Sequence, residues 1–140
     1  MTLYLQHNTG RIVWRYKNFV RHTGVLAGKD EYGRDMVIHN HPSSGATVVT
    51  FEEFADGKEV KYDNTPCEFD QQTVWQRALD SVRRGVQYGV LNSNCQHLTS
   101  NACKGKSESD DLKAFFQIAL LFGGLFLGAA AISSLAKNSR

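Results

Sequence analysis

Three residues in this chain have the types and settings that nucleophilic chemistry needs. Cys95 lies in Asn92-Ser93-Asn94-Cys95-Gln96-His97-Leu98, at the expected start of a helix, and His22 and His39 lie far upstream. A thiol in the first turn of a helix meets unpaired backbone amides and the positive end of the dipole, which favour thiolate over thiol. An imidazole beside it would act as the base, and the Cys95 backbone N–H would help to hold an oxyanion. The competing reading is a small buried apolar side chain, the commonest fate of a lone cysteine. Cys67 and Cys103 lack such a setting and read as structural.

The elements that must position these groups are written in the period of the pattern. Residues 22–27 read as a strand closed by Gly28, and Met36-Val37-Ile38-His39 as its return, stopped by Pro42 and the Ser43-Ser44-Gly45 turn. The polar stretch 30–35, with Gly33 at its centre, suits the connecting hairpin loop. Pairing around that loop places His22 and His39 nearly opposite each other at one end. Strands about 4.8 Å apart allow an imidazole–imidazole hydrogen bond. His22 is then the base for Cys95, and His39 fixes its tautomer. Gly24 leaves room for a second chain segment such as the Cys95 helix. His7, His41 and His97 read as surface or structural groups, His41 being a rival to His39. Two histidines also begin a metal site, but no carboxylate or thiol motif completes one, and no cofactor is expected.

Around this hairpin, Ile12-Val13-Trp14-Arg15-Tyr16 and residues 46–50 are further strands, with a possible edge strand at 59–62. Thr50 and Glu53 form a capping box for a short helix ended by Gly57. Val74, Ala78, Leu79, Val82 and Val86 recur at helical spacing, with Gly85 near the expected cap. A last helix begins near Asn94 and runs to about Cys103, with Gly105 behind it. An antiparallel sheet followed by helices is an α+β arrangement.

Residues 1–113 carry 14 Lys and Arg against 14 Asp and Glu, so the net charge of +2 comes from Lys137 and Arg140. No basic stripe stands out, so no nucleic-acid partner is expected. Three cysteines with no Cys-x-x-Cys pair argue against a disulfide framework and for a reducing compartment. No basic stretch followed by an apolar core marks a signal peptide in residues 1–10. Residues 114–136 form a run of 23 without a charge. As a helix it would be roughly 34 Å long, enough for a hydrocarbon core of about 30 Å. The expected organisation is a catalytic domain over 1–105, a polar linker over 106–113, and a transmembrane tail anchor over 114–136 with the domain in the cytosol. Gly124-x-x-x-Gly128 offers a close helix–helix approach, hence a possible homodimer.

Taken in order, His22-Thr23-Gly24-Val25-Leu26-Ala27-Gly28, Val37-Ile38-His39 and Asn94-Cys95-Gln96-His97-Leu98 resemble the boxes of the lecithin retinol acyltransferase-like family. That family is a circularly permuted branch of the papain-like cysteine enzymes, related to NlpC-type peptidases. The middle of the chain is also similar, in Phe51-Glu52-Glu53-Phe54-Ala55-Asp56-Gly57, Arg77-Ala78-Leu79 and Tyr88-Gly89-Val90-Leu91. The likeness spans about residues 9–105. Gln96 stands where the family has Glu, Leu98 where it has Phe, and Gly10-Arg11 where it has Gly-Asp. Residues 29–35 lengthen the stretch between the histidines.

The resemblance implies a permuted papain-like fold, with Cys95 as nucleophile, His22 as general base and His39 as the third polar member. It implies attack on an acyl ester, usually of a phospholipid, to give a thioester that passes its acyl group to an amine, a hydroxyl or water. The expectation is therefore a membrane-anchored acyltransferase or phospholipase. A cysteine amidase or peptidase, and a non-catalytic membrane adaptor that keeps the boxes, are the alternatives.

Overall fold

Alternation along the first half of the chain sends two different sets of side chains to the two faces of one sheet. In the computed structural model, which describes residues 1–87, 89 and 94–105, β1 (Ile12–Lys17), β2 (Val20–Lys29), β3 (Asp35–His41) and β4 (Gly45–Thr50) follow one another as antiparallel hairpins. The short β5 (Lys61–Tyr62) pairs with the outer edge of β1. The five strands lie in the order β4-β3-β2-β1-β5. Three helices accompany them: α1 (Phe51–Ala55), α2 (Gln71–Arg83) and α3 (Cys95–Lys104). The expected α+β class is therefore present.

On one face Ile12, Val25, Ala27, Met36 and Ile38 pack with Val74 and Ala78 of α2 and Leu98 and Ala102 of α3. On the other, Val13, Leu26 and Val37 close over Phe54 of α1, a smaller cluster around one fully buried ring. Two of these three hairpin connections bear on the site. Lys17 opposes Val20 across the Asn18-Phe19 turn, where Asn18 takes the left-handed conformation (φ 58°). The longer loop between β2 and β3 is organised by buried Asp30. Its carboxylate accepts from the amides of Tyr32 (3.0 Å) and Arg34 (2.9 Å) and pairs with the Arg34 guanidinium at 2.8 Å.

The helix ends follow the sequence signals. Thr50 and Glu53 make the capping box of α1, and Asp70 caps α2 by accepting from the Thr73 amide at 2.8 Å. Asn94 caps α3, and Gly105 ends it with φ 71°. The Arg77 guanidinium ties α2 to α3 through the Asn101 carbonyl, at 3.1 Å and 3.2 Å, and the Asn101 side chain, at 3.1 Å.

One expectation is corrected here. Cys67 and Cys103 are not free thiols; they form a disulfide, with Cα atoms 4.7 Å apart. The segment before α2 folds back on the end of α3, where the Glu68 amide donates to the Cys103 carbonyl at 2.9 Å. That approach joins two cysteines 36 positions apart, a pairing with no local signature. The case for a reducing compartment loses its premise, since disulfides persist in oxidising surroundings. Among the described residues no helix is long and apolar enough to cross a membrane. The linker 106–113, the apolar run 114–136 with its Gly124 and Gly128, and residues 88 and 90–93 lie outside the described residues.

Candidate active site

The site lies where the register between two neighbouring strands ends. The β2–β3 ladder runs from Lys29↔Asp35, through a bulge between Leu26 and Gly28, to Val25↔Ile38. Past that pair the β2–β3 register ends. On the α1 side, the two strands are bridged there by His22 Nε2 and His39 Nδ1, 2.8 Å apart and both rings buried. Phe54 lines this face, stacked on His22 with centroids 5.2 Å apart and edge-on to His39 at 5.8 Å. Arg15, cross-strand neighbour of His22, is buried here as well and donates its Nε–H to the Phe54 carbonyl.

Cys95 enters from the α3 side. Its Sγ lies 3.7 Å from the Arg21 carbonyl, and the Thr23 amide and hydroxyl also face it. Next to it, Gln96 Nε2 donates to the same Arg21 carbonyl at 3.2 Å. Thr23 Oγ1 meets Thr99 Oγ1 of α3 at 3.0 Å. The first turn of α3 thus takes partners on β2 beyond the end of that register. His22 is the residue between the two whose groups hold the sulfur. By strand alternation its ring projects to the opposite, α1, face. The structure therefore joins His22 to His39 directly, and seats Cys95 on the flanks of His22 with its thiol donating to a carbonyl oxygen.

Electrostatics at rest favour neutral groups. Burial, and then the neighbouring His39, Arg15, Lys17 and His41, lower His22 to about 3. Burial, with His41, Arg15 and Lys17 next, lowers His39 to about 4. Burial pushes the Cys95 thiol up, outweighing hydrogen bonds from Thr23 and from the first-turn amides of Gln96 and Cys95. The helix start favours the thiolate, as its first-turn amides suggest, but the burial of the sulfur acts against it and is the larger influence. Both shifts favour the neutral forms of His22 and Cys95.

The remaining histidines separate cleanly. His97 is buried and structural, with Nδ1 accepting from the Asn94 amide at 3.2 Å in the α3 capping box. Half-buried His41 uses Nδ1 for Ser43, 3.1 Å from its amide and 2.8 Å from its hydroxyl, so His39 is the partner of His22. His7 is exposed, and only its backbone carbonyl is engaged, by Gln71.

Gly24 does not make room for α3. A Cβ there would lie 2.5 Å from Val37 Cγ1 and 3.0 Å from Phe54 Cε2, so the segment it admits is α1. Arg15, Thr23 and Phe54 are site residues that reading by motif overlooked. Alternation carried the signal for two of them, since Arg15 and Thr23 follow from the faces of Val13 and Val25. Among the described residues no group of three or more His, Cys, Asp or Glu gathers to hold a metal. No protein-family model matches the chain, and no curated protein matches it.

Proposed function

We propose that this protein is a thiol-dependent acyltransferase or phospholipase of the lecithin retinol acyltransferase type, with the permuted papain-like fold which that type implies. The observation that carries the reading is the bond from His22 Nε2 to His39 Nδ1. It leaves His22 Nδ1 as the nitrogen for the thiol, on a residue whose two neighbours already hold the sulfur. If Nδ1 accepts, Nε2–H donates to His39 Nδ1, and His39 carries its own proton on Nε2.

In the proposed reaction an acyl ester displaces the Arg21 carbonyl as the partner of the thiol. The proton passes from Cys95 to His22 as sulfur bonds to the acyl carbon, and the carbonyl π pair moves to oxygen. Amides of the first turn of α3 stabilise that oxyanion. Collapse breaks the ester C–O bond, and His22 returns the proton to the departing alcohol. An amine, a hydroxyl or water, giving its proton to His22, then attacks the thioester carbon; the C–S bond breaks with its electron pair on sulfur, and His22 returns the proton to Cys95. Because the thiol at rest bonds to the Arg21 carbonyl, substrate binding has to bring the sulfur to the Nδ1 edge of His22. The apolar run 114–136 favours a bilayer lipid as substrate and a membrane-anchored protein, in which a pair of such runs could meet at Gly124 and Gly128. The side of the membrane on which the domain works is left to its redox environment, to which the Cys67–Cys103 bond now speaks.

Incubation with radiolabelled phosphatidylcholine tests this. Release or transfer of label by the intact chain, and none by Cys95→Ala, is expected; no turnover by either would sink the proposal. One observation favours the adaptor reading instead: the buried thiol bonds to a carbonyl rather than to a ring nitrogen. A cysteine-directed electrophile separates the two. Cys95 alkylation no faster than that of a buried thiol in an unrelated fold would speak for the adaptor.

A further inference from the structure

Six consecutive residues, Tyr16-Lys17-Asn18-Phe19-Val20-Arg21, are exposed at the tip of the β1–β2 hairpin. Phe19 is 98% exposed at the turn itself, and Tyr16 and Val20 are half-exposed beside it. Among the described residues no element covers this apolar surface. Its flanks are basic. Lys17 and Arg21 are exposed on either side, the Arg21 guanidinium lies 4.6 Å from the Trp14 ring centroid, and Lys61 Nζ lies 5.5 Å from it. An aromatic tip, an amphipathic Trp–Tyr pair behind it (centroids 5.2 Å apart) and the exposed cations Lys17 and Arg21, with Lys61 shared with Glu59 at 4.0 Å, form the composition that partitions at an anionic lipid–water interface. The hairpin is also continuous with the candidate site. Arg21 contributes the carbonyl that holds Cys95, and the next residue is His22.

We infer that the β1–β2 hairpin tip is a membrane-docking element: Phe19 and Val20 enter the acyl region of a bilayer containing anionic phospholipid, and Lys17, Arg21 and Lys61 contact its headgroup phosphates. This deepens the lipid-substrate reading and rests on it for its purpose, because docking here brings the Cys95 end of β2 to the bilayer surface. Docking itself requires no turnover.

Since the apolar run 114–136 would carry any variant to vesicles, total binding is uninformative and a local readout is needed. A nitroxide is placed on Phe19→Cys in the full chain, in a Cys95→Ser background, and for comparison on Tyr32→Cys at the other hairpin tip. Vesicles of phosphatidylcholine with about one fifth phosphatidylserine serve as the probe surface. The label at 19 is expected to gain oxygen accessibility and lose access to an aqueous nickel complex, by severalfold, while the label at 32 stays aqueous. Lys17→Glu with Arg21→Glu should return position 19 to water. The inference is overturned if the label at 19 stays aqueous, if both labels are equally shielded, or if shielding at 19 appears without lipid and grows with protein concentration, which would mark a second copy as the occupant. A shielded tip in a chain without acyl turnover would uphold docking and reject the enzyme.

Discussion

The two faces of the central sheet do different work with the same strands. The face under α2 and α3 is an apolar mass in which Ile12, Val25 and Ile38 meet Val74, Ala78 and Leu98. The face under α1 has only Val13, Leu26, Val37 and Phe54 as its buried apolar set, and fills its open end with His22, His39 and Arg15. Burying three nitrogen-rich side chains there costs free energy unless they are bonded to one another or to the backbone, and two of them bond to each other. One face keeps the fold; the other keeps a strained ionisation balance at one end of β2. Cys95, Gln96 and Thr99 reach from the α3 face to the end of β2 that carries His22.

Several substitutions break or sharpen this contrast. The largest effect is expected from His22→Asn, which should cut acyl turnover by about 100- to 10,000-fold while changing the urea midpoint little; equal losses of activity and stability would erase the division between faces. Phe54→Ala should cost about 3–5 kcal/mol, since that ring is fully buried and plates both imidazoles. Equilibrium unfolding measures it, and a cost under about 1 kcal/mol would show that α1 is dispensable to the sheet. Replacing both Cys67 and Cys103 by Ser should cost about 3–4 kcal/mol from loop closure over 36 residues.

Acid should weaken the α1 face specifically. His22 and His39 are depressed in the folded chain, to about 3 and about 4, from the ordinary 6.5. The unfolded chain therefore binds protons first. Stability from these groups is complete above about pH 6.5 and is lost as pH falls toward 4 and then 3. Unfolding midpoints measured between pH 7 and pH 4 should drop, and His39→Gln should flatten that slope. The smallest effect is expected for Thr50→Ala, about 1 kcal/mol from the α1 capping box, visible as a shift in thermal midpoint.

Much of this arrangement is legible in the chain because it depends on local chemistry. Period-two runs delimit β1 to β4, and Thr50, Asn94, Gly57 and Gly105 punctuate the helices by their capping geometry. The hairpin around Asp30 follows from a carboxylate that satisfies its own turn amides. The His22–His39 bond is only half legible: the Val25↔Ile38 register, extended past its last pair, would set His41 rather than His39 opposite His22, and the bulge between Leu26 and Gly28 supplies the one-residue shift that puts both rings on one face as a diagonal contact.

What escapes the sequence is set by tertiary contacts. The Cys67–Cys103 bond needs a segment with no regular structure to fold onto α3. The partner of Gly24 is decided by which helix covers which face, and two helices were eligible. The direction of the Cys95 shift depends on burial against dipole, and burial follows only once α3 is docked. Arg15 reads as one polar residue in a strand until its face is known to be closed by α1.

Where the β2–β3 register ends, the Cys95 thiol also has a structural part. Sγ, with the amide of Gln96, satisfies main-chain groups of β2 there. An adduct on that atom has to displace the thiol from the Arg21 carbonyl, which Gln96 Nε2 also holds, and from the Thr23 amide. Covalent capture at this position therefore loosens the central strands, and amide exchange there should quicken whenever the sulfur is occupied.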